Sequence, residues 1–143
     1  MGKKKIATAE NTGTEETKTN VVPSVSKKKV ENGRLYVEST YNNTKLILTD
    51  AKGNVLATSS SGSLGFKGAK KGTPFAAAKV GETLGAKGSV MGMKDVAVFI
   101  KGVGSGRESG VRGFISKGIN ITSIRDVTPV PHNGPKAKKP RRV

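Results

Sequence analysis

The chain has 143 residues, with 26 lysines and arginines against 10 aspartates and glutamates, and a formal net charge of +16. A cationic surplus of this size implies an anionic partner. The absence of cysteine excludes disulfides, thiolate zinc sites and cysteine nucleophiles. The longest apolar run, Val96–Ile100, is too short to cross a membrane, so we expect a soluble intracellular protein.

The first part of the chain contains a polar arm followed by strand patterns. Residues 1–32 are polar and lack hydrophobic periodicity, which predicts a flexible basic N-terminal arm. Beyond them, apolar runs at Leu35–Val37, Leu46–Leu48 and Asn54–Ser59 predict three short strands. The turn signals YNNT and DAKG lie between these runs, so the three strands are expected to form an antiparallel meander.

A glycine-rich and lysine-rich segment, SSSGSLGFKGAKKG, follows the third predicted strand. It leads into Thr73 and Pro74, a hydroxyl cap followed by proline, which is typical of a helix start. We expect this helix to reach about residue 87 and to end at Gly88. Gly81 and Gly85 are four residues apart and share one face, which predicts that the helix lies close to a sheet.

The second half of the domain contains a strand, a helix and a final strand. The run VAVFI within Asp95–Lys101 lacks polar alternation and predicts a buried central strand. The loop GVGSG follows, and Ser105 and Glu108 have the spacing of a capping box for a second helix. A last strand is predicted at Ile119–Val127. The order βββαβαβ indicates an α/β domain over residues 33–127, with a mixed five-stranded sheet and helices packed on it.

Two loops of this domain are predicted to lie at the same edge of the sheet, because each follows the C-terminal end of a parallel strand. Cations beside a helix N-terminus oppose the helix dipole unless an anion is bound, and glycines let backbone N–H groups approach phosphate. The predicted phosphate contacts of this edge are Lys67, Lys70, Lys71, Arg107 and Arg112.

The last sixteen residues, 128–143, contain five basic residues and no acid, which predicts an extended basic tail. Its predicted RNA contacts are Lys136, Lys138, Lys139, Arg141 and Arg142. His132 is the only histidine and has no partner for a metal site, so we expect it and Asn133 to occupy an ordered turn or to contact RNA. Asn42 and Asn43, in the first turn, are weaker candidates for sugar or base-edge contacts.

Enzymatic and cofactor functions have little support in the sequence. GVGSGRES lacks both the dinucleotide fingerprint and the P-loop signature. A two-metal nuclease needs clustered carboxylates, whereas Asp95 and Asp126 are expected at opposite edges of the sheet. We therefore expect no catalytic residues, no metal and no cofactor. The chain has only six aromatic residues, which favours recognition of RNA shape and backbone over stacking on bases.

Four segments in order carry a family resemblance: YNNTKLILTDAKGNVL, SGSLGFKGAKKGTPFAAA, IKGVGSGRES and INITSIRDVTPVPHNG, with RRV at the terminus. Over about residues 33–143 the chain resembles the eleventh protein of the small ribosomal subunit, of bacterial type. The resemblance implies a fold with ribonuclease H-like topology but without its active site. It also implies binding to 16S rRNA in the platform, near the messenger exit and the Shine–Dalgarno region, beside other small-subunit proteins.

The sequence and the resemblance together predict a structural RNA-binding protein of the cytoplasmic ribosome. Its expected partners are 16S rRNA, neighbouring small-subunit proteins and, nearby, messenger RNA, with no membrane and no small-molecule substrate. A free RNA chaperone or regulator is the alternative, since it would carry the same charge without a defined site. A metal-dependent nuclease on the same fold is the less favoured third hypothesis.

Overall fold

The computed structural model describes residues 29–143. The elements, in chain order, are β1 Asn32–Ser39, β2 Thr44–Asp50, β3 Val55–Ser60, a 3₁₀-helix Gly68–Gly72, α1 Pro74–Val90, β4 Asp95–Gly102, α2 Gly106–Ile115 and β5 Asn120–Asp126. The predicted order βββαβαβ is confirmed. The predicted arm lies outside the described residues except for residues 29–32. Neither α-helix in this part of the chain combines the length and the apolar character that crossing a bilayer requires.

The five strands form one mixed sheet in the order β3-β2-β1-β4-β5. Strand β2 is antiparallel to both of its neighbours, whereas β1 and β4, and β4 and β5, are parallel. Four strands therefore point the same way and only β2 is reversed. The expectation that both glycine-rich loops follow parallel strands is confirmed, since β3, β4 and β5 share a direction. The prediction that VAVFI forms the central strand is wrong, because β1 occupies the middle and β4 lies next to it.

Both helices cover the same face of the sheet, and the core lies between them. Alternate residues of β1, β2 and β4 are fully buried there, and Val80, Leu84 and Phe114 of the helices pack against them. No helix within residues 29–143 covers the opposite face. On it the Tyr36 and Phe99 rings stack with centroids 5.2 Å apart and remain half-buried. This one-sided cover explains why burial alternates along β4 although its sequence does not.

Helix α1 begins as its sequence predicts. The Thr73 hydroxyl accepts a hydrogen bond from the backbone N–H of Ala76 at 3.3 Å, and Pro74 occupies the first helical position. The helix does not end at Gly88 but continues to Val90. Gly88 is buried inside it, and a Cβ there would lie 3.0 Å from the Ile119 side chain. Gly88 therefore lets the helix approach the core rather than ending it.

The other two glycines of α1 bring the two helices together. A Cβ on Gly81 would lie 2.2 Å from the carbonyl oxygen of Gly110, and one on Gly85 would lie 2.8 Å from that of Phe114. Both acceptors belong to α2. The prediction that this glycine pair faces the sheet is therefore wrong, because two helices that share one sheet face must pack against each other.

Candidate nucleic-acid interface

Four segments emerge at one edge of the sheet, which we call the contact edge. They are the β1–β2 turn (residues 40–43), the lysine loop (residues 61–73), the loop between β4 and α2 (residues 102–106) and the C-terminal tail (residues 127–143). They meet because β1, β3, β4 and β5 all end there and β2 begins there. The prediction that the two glycine-rich loops share an edge is confirmed.

The lysine loop is docked against both of its neighbours. A Cβ on Gly72 would lie 2.2 Å from the carbonyl oxygen of Tyr41, so the loop passes directly over the β1–β2 turn. The Ser105 hydroxyl donates a hydrogen bond of 2.7 Å to the carbonyl of Gly72. The predicted capping box is therefore wrong: Ser105 makes no cap bond, because its hydroxyl joins two loops, and Glu108 pairs with Arg112 instead.

The glycines of the loop GVGSG are used for close backbone packing. A Cβ on Gly102 would lie 2.0 Å from the carbonyl oxygen of Ser39, and one on Gly104 would lie 2.2 Å from that of Thr40. The N–H of Gly104 donates to the Ser39 carbonyl at 3.0 Å. This loop thus packs directly against the C-terminal end of β1. Its N–H at Gly104 has a protein partner already, which leaves that group unavailable to a phosphate.

The lysines of the lysine loop have no carboxylate partner within residues 29–143. Lys67 and Lys70 are exposed and Lys71 is half-buried. None of the ion pairs within residues 29–143 includes them, and the first turn of α1 contains no acid. Three cations thus lie next to the positive end of a 17-residue helix. A bound anion would relieve the electrostatic repulsion among them.

Arg107 has the opposite environment although it lies at the same edge. Its side chain is only 32% exposed, and its guanidinium binds the Asp126 carboxylate at 2.5 Å. The same group donates to the carbonyl of Gly102 and lies 3.4 Å from the Thr128 hydroxyl. Arg107 therefore joins the start of α2 to the end of β5. The unfavourable interaction between Arg107 and the α2 dipole is offset here by the Asp126 carboxylate.

Asp126 is the centre of this small network. Its carboxylate accepts hydrogen bonds from the Thr128 hydroxyl at 2.6 Å, from the Thr128 N–H at 2.9 Å and from Arg107. The bonds from Thr128, and then the Arg107 guanidinium, hold the pKa of Asp126 far below its ordinary value near 3.8. Thr128 also accepts a bond from the N–H of Gly102. The root of the tail is thereby attached to the contact edge.

Comparison with known proteins identifies the family. A family model described as ribosomal protein S11 matches residues 33–142. The chain belongs to the ribosomal protein S11 family. It is also 52% identical over 126 residues to the small ribosomal subunit protein uS11 of Endomicrobium trichonymphae, an alignment that spans 87% of this chain and 96% of that protein. The resemblance inferred from the sequence is confirmed.

Membership of the S11 family makes the chain a structural constituent of the small ribosomal subunit and not an enzyme. No group of three potential metal ligands occurs among the described residues. Asp95 pairs with Asn120 and Asp126 pairs with Ile100, so the two aspartates lie at opposite ends of neighbouring strands, as predicted.

Arg112 is a predicted contact that lies in none of the four segments of the contact edge. It lies in the last turn of α2, and this helix runs away from the contact edge. Its guanidinium pairs with Glu108 one turn earlier, while its side chain stays 75% exposed. Exposed pairs of this kind exchange readily, so the role of Arg112 in RNA binding stays a prediction.

The β1–β2 turn contributes two asparagines with different environments. Asn42 is exposed beside the lysine loop. Asn43 is half-buried, and its side-chain oxygen has no hydrogen-bond partner among the described residues; the same is true of the Ser39 and Thr44 hydroxyls. Asn42 is thus available to a ligand, whereas Asn43 points its oxygen into the protein.

The tail extends from the contact edge without regular secondary structure. Every residue from Pro129 to Val143 is exposed, including His132 and Asn133, the latter with a positive φ of 54°. The ion pairs found in the described part of the chain include none of the five basic residues of the tail: Lys136, Lys138, Lys139, Arg141 and Arg142. Their contacts with RNA stay predictions.

Sequence reasoning gave little weight to the aromatic residues of the contact edge: it set Phe66 and Tyr41 aside as stacking residues and did not consider Phe75. Phe75 is 65% exposed and Tyr41 is 78% exposed, which is unusual for rings of this size. Phe66 lies at right angles to Phe75, with 6.2 Å between ring centroids. The position of Phe75 immediately after the first helical residue was the available signal, because the first turn of a helix leaves its outer side chains in solvent.

Proposed function

We propose that this chain binds 16S rRNA in the platform of the small subunit and helps to form the region where messenger RNA leaves and the Shine–Dalgarno helix lies. The coarser role, a structural constituent of the small subunit of the cytoplasmic ribosome, follows from the family. The observation that carries the proposal is the grouping of unpaired cations at one edge of the sheet, with a basic tail rooted in the same edge.

The proposed mechanism is neutralisation of phosphates that belong to separate RNA segments. The lysine loop presents its charges on a rigid support, because Gly72 is packed on the β1–β2 turn and bonded to Ser105. The tail presents five more charges on an extended chain that can enter narrow spaces between RNA helices. Each phosphate neutralised by a lysine or arginine releases counterions, which is the main source of such affinity. Together the two elements bridge segments that would otherwise repel.

The deciding experiment removes the tail. Truncation after Gly134 leaves the sheet and its helices intact, because every residue from Pro129 onward is exposed. Since five cations are lost, we expect affinity for platform rRNA at physiological salt to fall on the order of 100-fold or more. The slope of log K against log salt should decrease by about 3–4. A full-length variant with the five basic residues changed to glutamine is the matched control for charge. Equal affinity of full-length and truncated protein contradicts the proposal.

Selectivity separates this function from that of a free RNA chaperone. We expect binding to a platform rRNA fragment to persist at salt concentrations where binding to an unrelated RNA of equal length has decayed. The protein should also co-sediment with small subunits in high salt. If binding to both RNAs decays over the same range of salt concentration, the protein is a chaperone without a defined site.

A further inference from the structure

Two exposed aromatic residues lie at the contact edge among cations. Phe75 is 65% exposed at the start of α1, and Tyr41 is 78% exposed in the β1–β2 turn, whose backbone touches Gly72. Exposed rings of this size are costly in water. The described residues leave most of both side chains in solvent, and a ligand stacked on the rings would remove that surface from water.

The Phe75 ring is held in place by its neighbours. Phe66 contacts it edge to face with an angle of 84° between the rings, and the ammonium of Lys79 lies 5.6 Å from its centroid. The Lys79 ammonium also lies 3.3 Å from the Glu82 carboxylate. These contacts restrain the ring and still leave most of its surface open. A restrained, open ring loses little conformational entropy when a flat partner stacks on it.

The charges around Phe75 determine what that partner is. Lys67, Lys70 and Lys71 lie in the adjoining loop, and the only acid on the same stretch of α1 is paired with Lys79. An apolar segment of a protein would gain nothing from the three free cations. An unpaired nucleotide matches both features, because its base stacks on the ring and its flanking phosphates reach the lysines.

We propose that Phe75, supported by Phe66, is a stacking site for an unpaired base of the RNA that the lysine loop binds, with Tyr41 of the β1–β2 turn as a second stacking ring. This inference rests on the proposed function and adds a base contact to it. The interface thus recognises more than the shape and backbone of RNA. An aromatic ring can stack on a base only where a nucleotide is turned out of its helix.

The test compares two short single-stranded RNAs with the full-length protein. One carries the fluorescent base 2-aminopurine at its centre, and the other is abasic at that position with the same phosphates. We expect Phe75→Leu to bind the first RNA about 5- to 100-fold more weakly than the unchanged protein does. The two proteins should bind the abasic RNA with the same affinity. Stacking should quench 2-aminopurine fluorescence with the unchanged protein and with Phe75→Tyr, but not with Phe75→Leu. Val90→Ala, an exposed change at the other end of α1, is the control.

The outcomes separate this inference from the function on which it rests. If Phe75→Leu binds both RNAs like the unchanged protein while changing the three loop lysines abolishes binding, the stacking site is disproved and the phosphate interface remains. If the unchanged protein binds neither short RNA but binds the platform rRNA fragment, the stacking site is disproved and the proposed function remains; if it binds none of the three RNAs, both proposals fail. If Phe75→Leu binds RNA normally but is not incorporated into small subunits, the ring contacts a protein neighbour, and the stacking site is again disproved. Circular dichroism of each variant controls for folding.

Discussion

The two glycine-rich loops of the contact edge use their cations in different ways. The lysine loop holds Lys67, Lys70 and Lys71 without a carboxylate partner among the described residues. The loop GVGSG is followed by Arg107, which binds Asp126 and the Gly102 carbonyl. Both loops precede a helix, and both place cations where the helix dipole disfavours them. One loop leaves that conflict for a ligand to relieve, and the other relieves it within the protein.

This difference indicates that the position of a charged residue in the sequence does not show whether its charge is free to bind a ligand or is paired within the protein. Lysine and arginine counts predict an anionic partner correctly, but they do not say which cations remain free. A carboxylate distant in sequence decides that, here one nineteen residues away from the arginine that it binds. The free set is the part of the charge that can contribute to the affinity for RNA.

The largest expected effect is on the affinity of the protein for RNA, and it differs between variants of the two loops. Changing Lys67, Lys70 and Lys71 together to glutamine should weaken rRNA binding roughly 10- to 100-fold at physiological salt, because three phosphate contacts are lost. The salt slope should decrease by about 2–3. Arg107→Gln should leave that slope unchanged, since its charge is already neutralised by Asp126. Filter binding over a salt series measures both. A lower slope for Arg107→Gln would show that Arg107 contacts phosphate.

The second prediction concerns folding stability. Gly104→Ala should lower the free energy of unfolding by about 1–3 kcal/mol, because the new methyl would lie 2.2 Å from the Thr40 carbonyl oxygen. Gly62→Ala in the lysine loop is the matched control, since its nearest neighbours would be 3.9 Å away and the change should stay within about 0.5 kcal/mol. Urea unfolding measures both variants. Equal stability of the two would show that the GVGSG loop is not packed as described.

The smallest effect is a pH dependence. The pKa of Asp126 is lowered by Thr128 and Arg107, so its stabilising contribution is complete above the unfolded pKa near 3.8 and is lost as pH falls toward the folded pKa. We expect Asp126→Asn to be less stable than the unchanged protein at pH 6. The difference should shrink as the pH is lowered below about 4. Unfolding curves between pH 6 and pH 3 test this, and a difference that stays constant over that range would show that the carboxylate is not the group responsible.

Much of the fold follows from local patterns. The strands, the Thr73-Pro74 helix start and the order of elements are predicted within a few residues, because periodicity and capping act over short distances. The predictions that failed depend on distant partners. Gly81 and Gly85 face α2 rather than the sheet, and the Ser105 hydroxyl binds Gly72 rather than its own helix.

The candidate site divides in the same way. Composition indicates a polyanion as partner, and the lysine loop and the tail can be recognised from their charges alone. The pairing of Arg107 with Asp126 has no local signature, since it depends on how β5 ends beside α2. The exposure of Phe75 and Tyr41 had only weak local signals, a helix start and a turn, and was not predicted because aromatic rings are assigned to the core by default.

The amino-acid sequence alone determined the chemistry of this protein: its cationic surplus, its α/β order and its basic tail, because these depend on residue type and short-range spacing. Tertiary structure decided which of those cations can meet a ligand. Four strands that point the same way bring the lysine loop, the GVGSG loop and the tail to one edge, and a single aspartate there removes Arg107 from the free set. The edge shared by the two loops follows from the order of the elements, whereas the pairing of Arg107 with Asp126 depends on a contact between residues far apart in the chain, which no local pattern encodes.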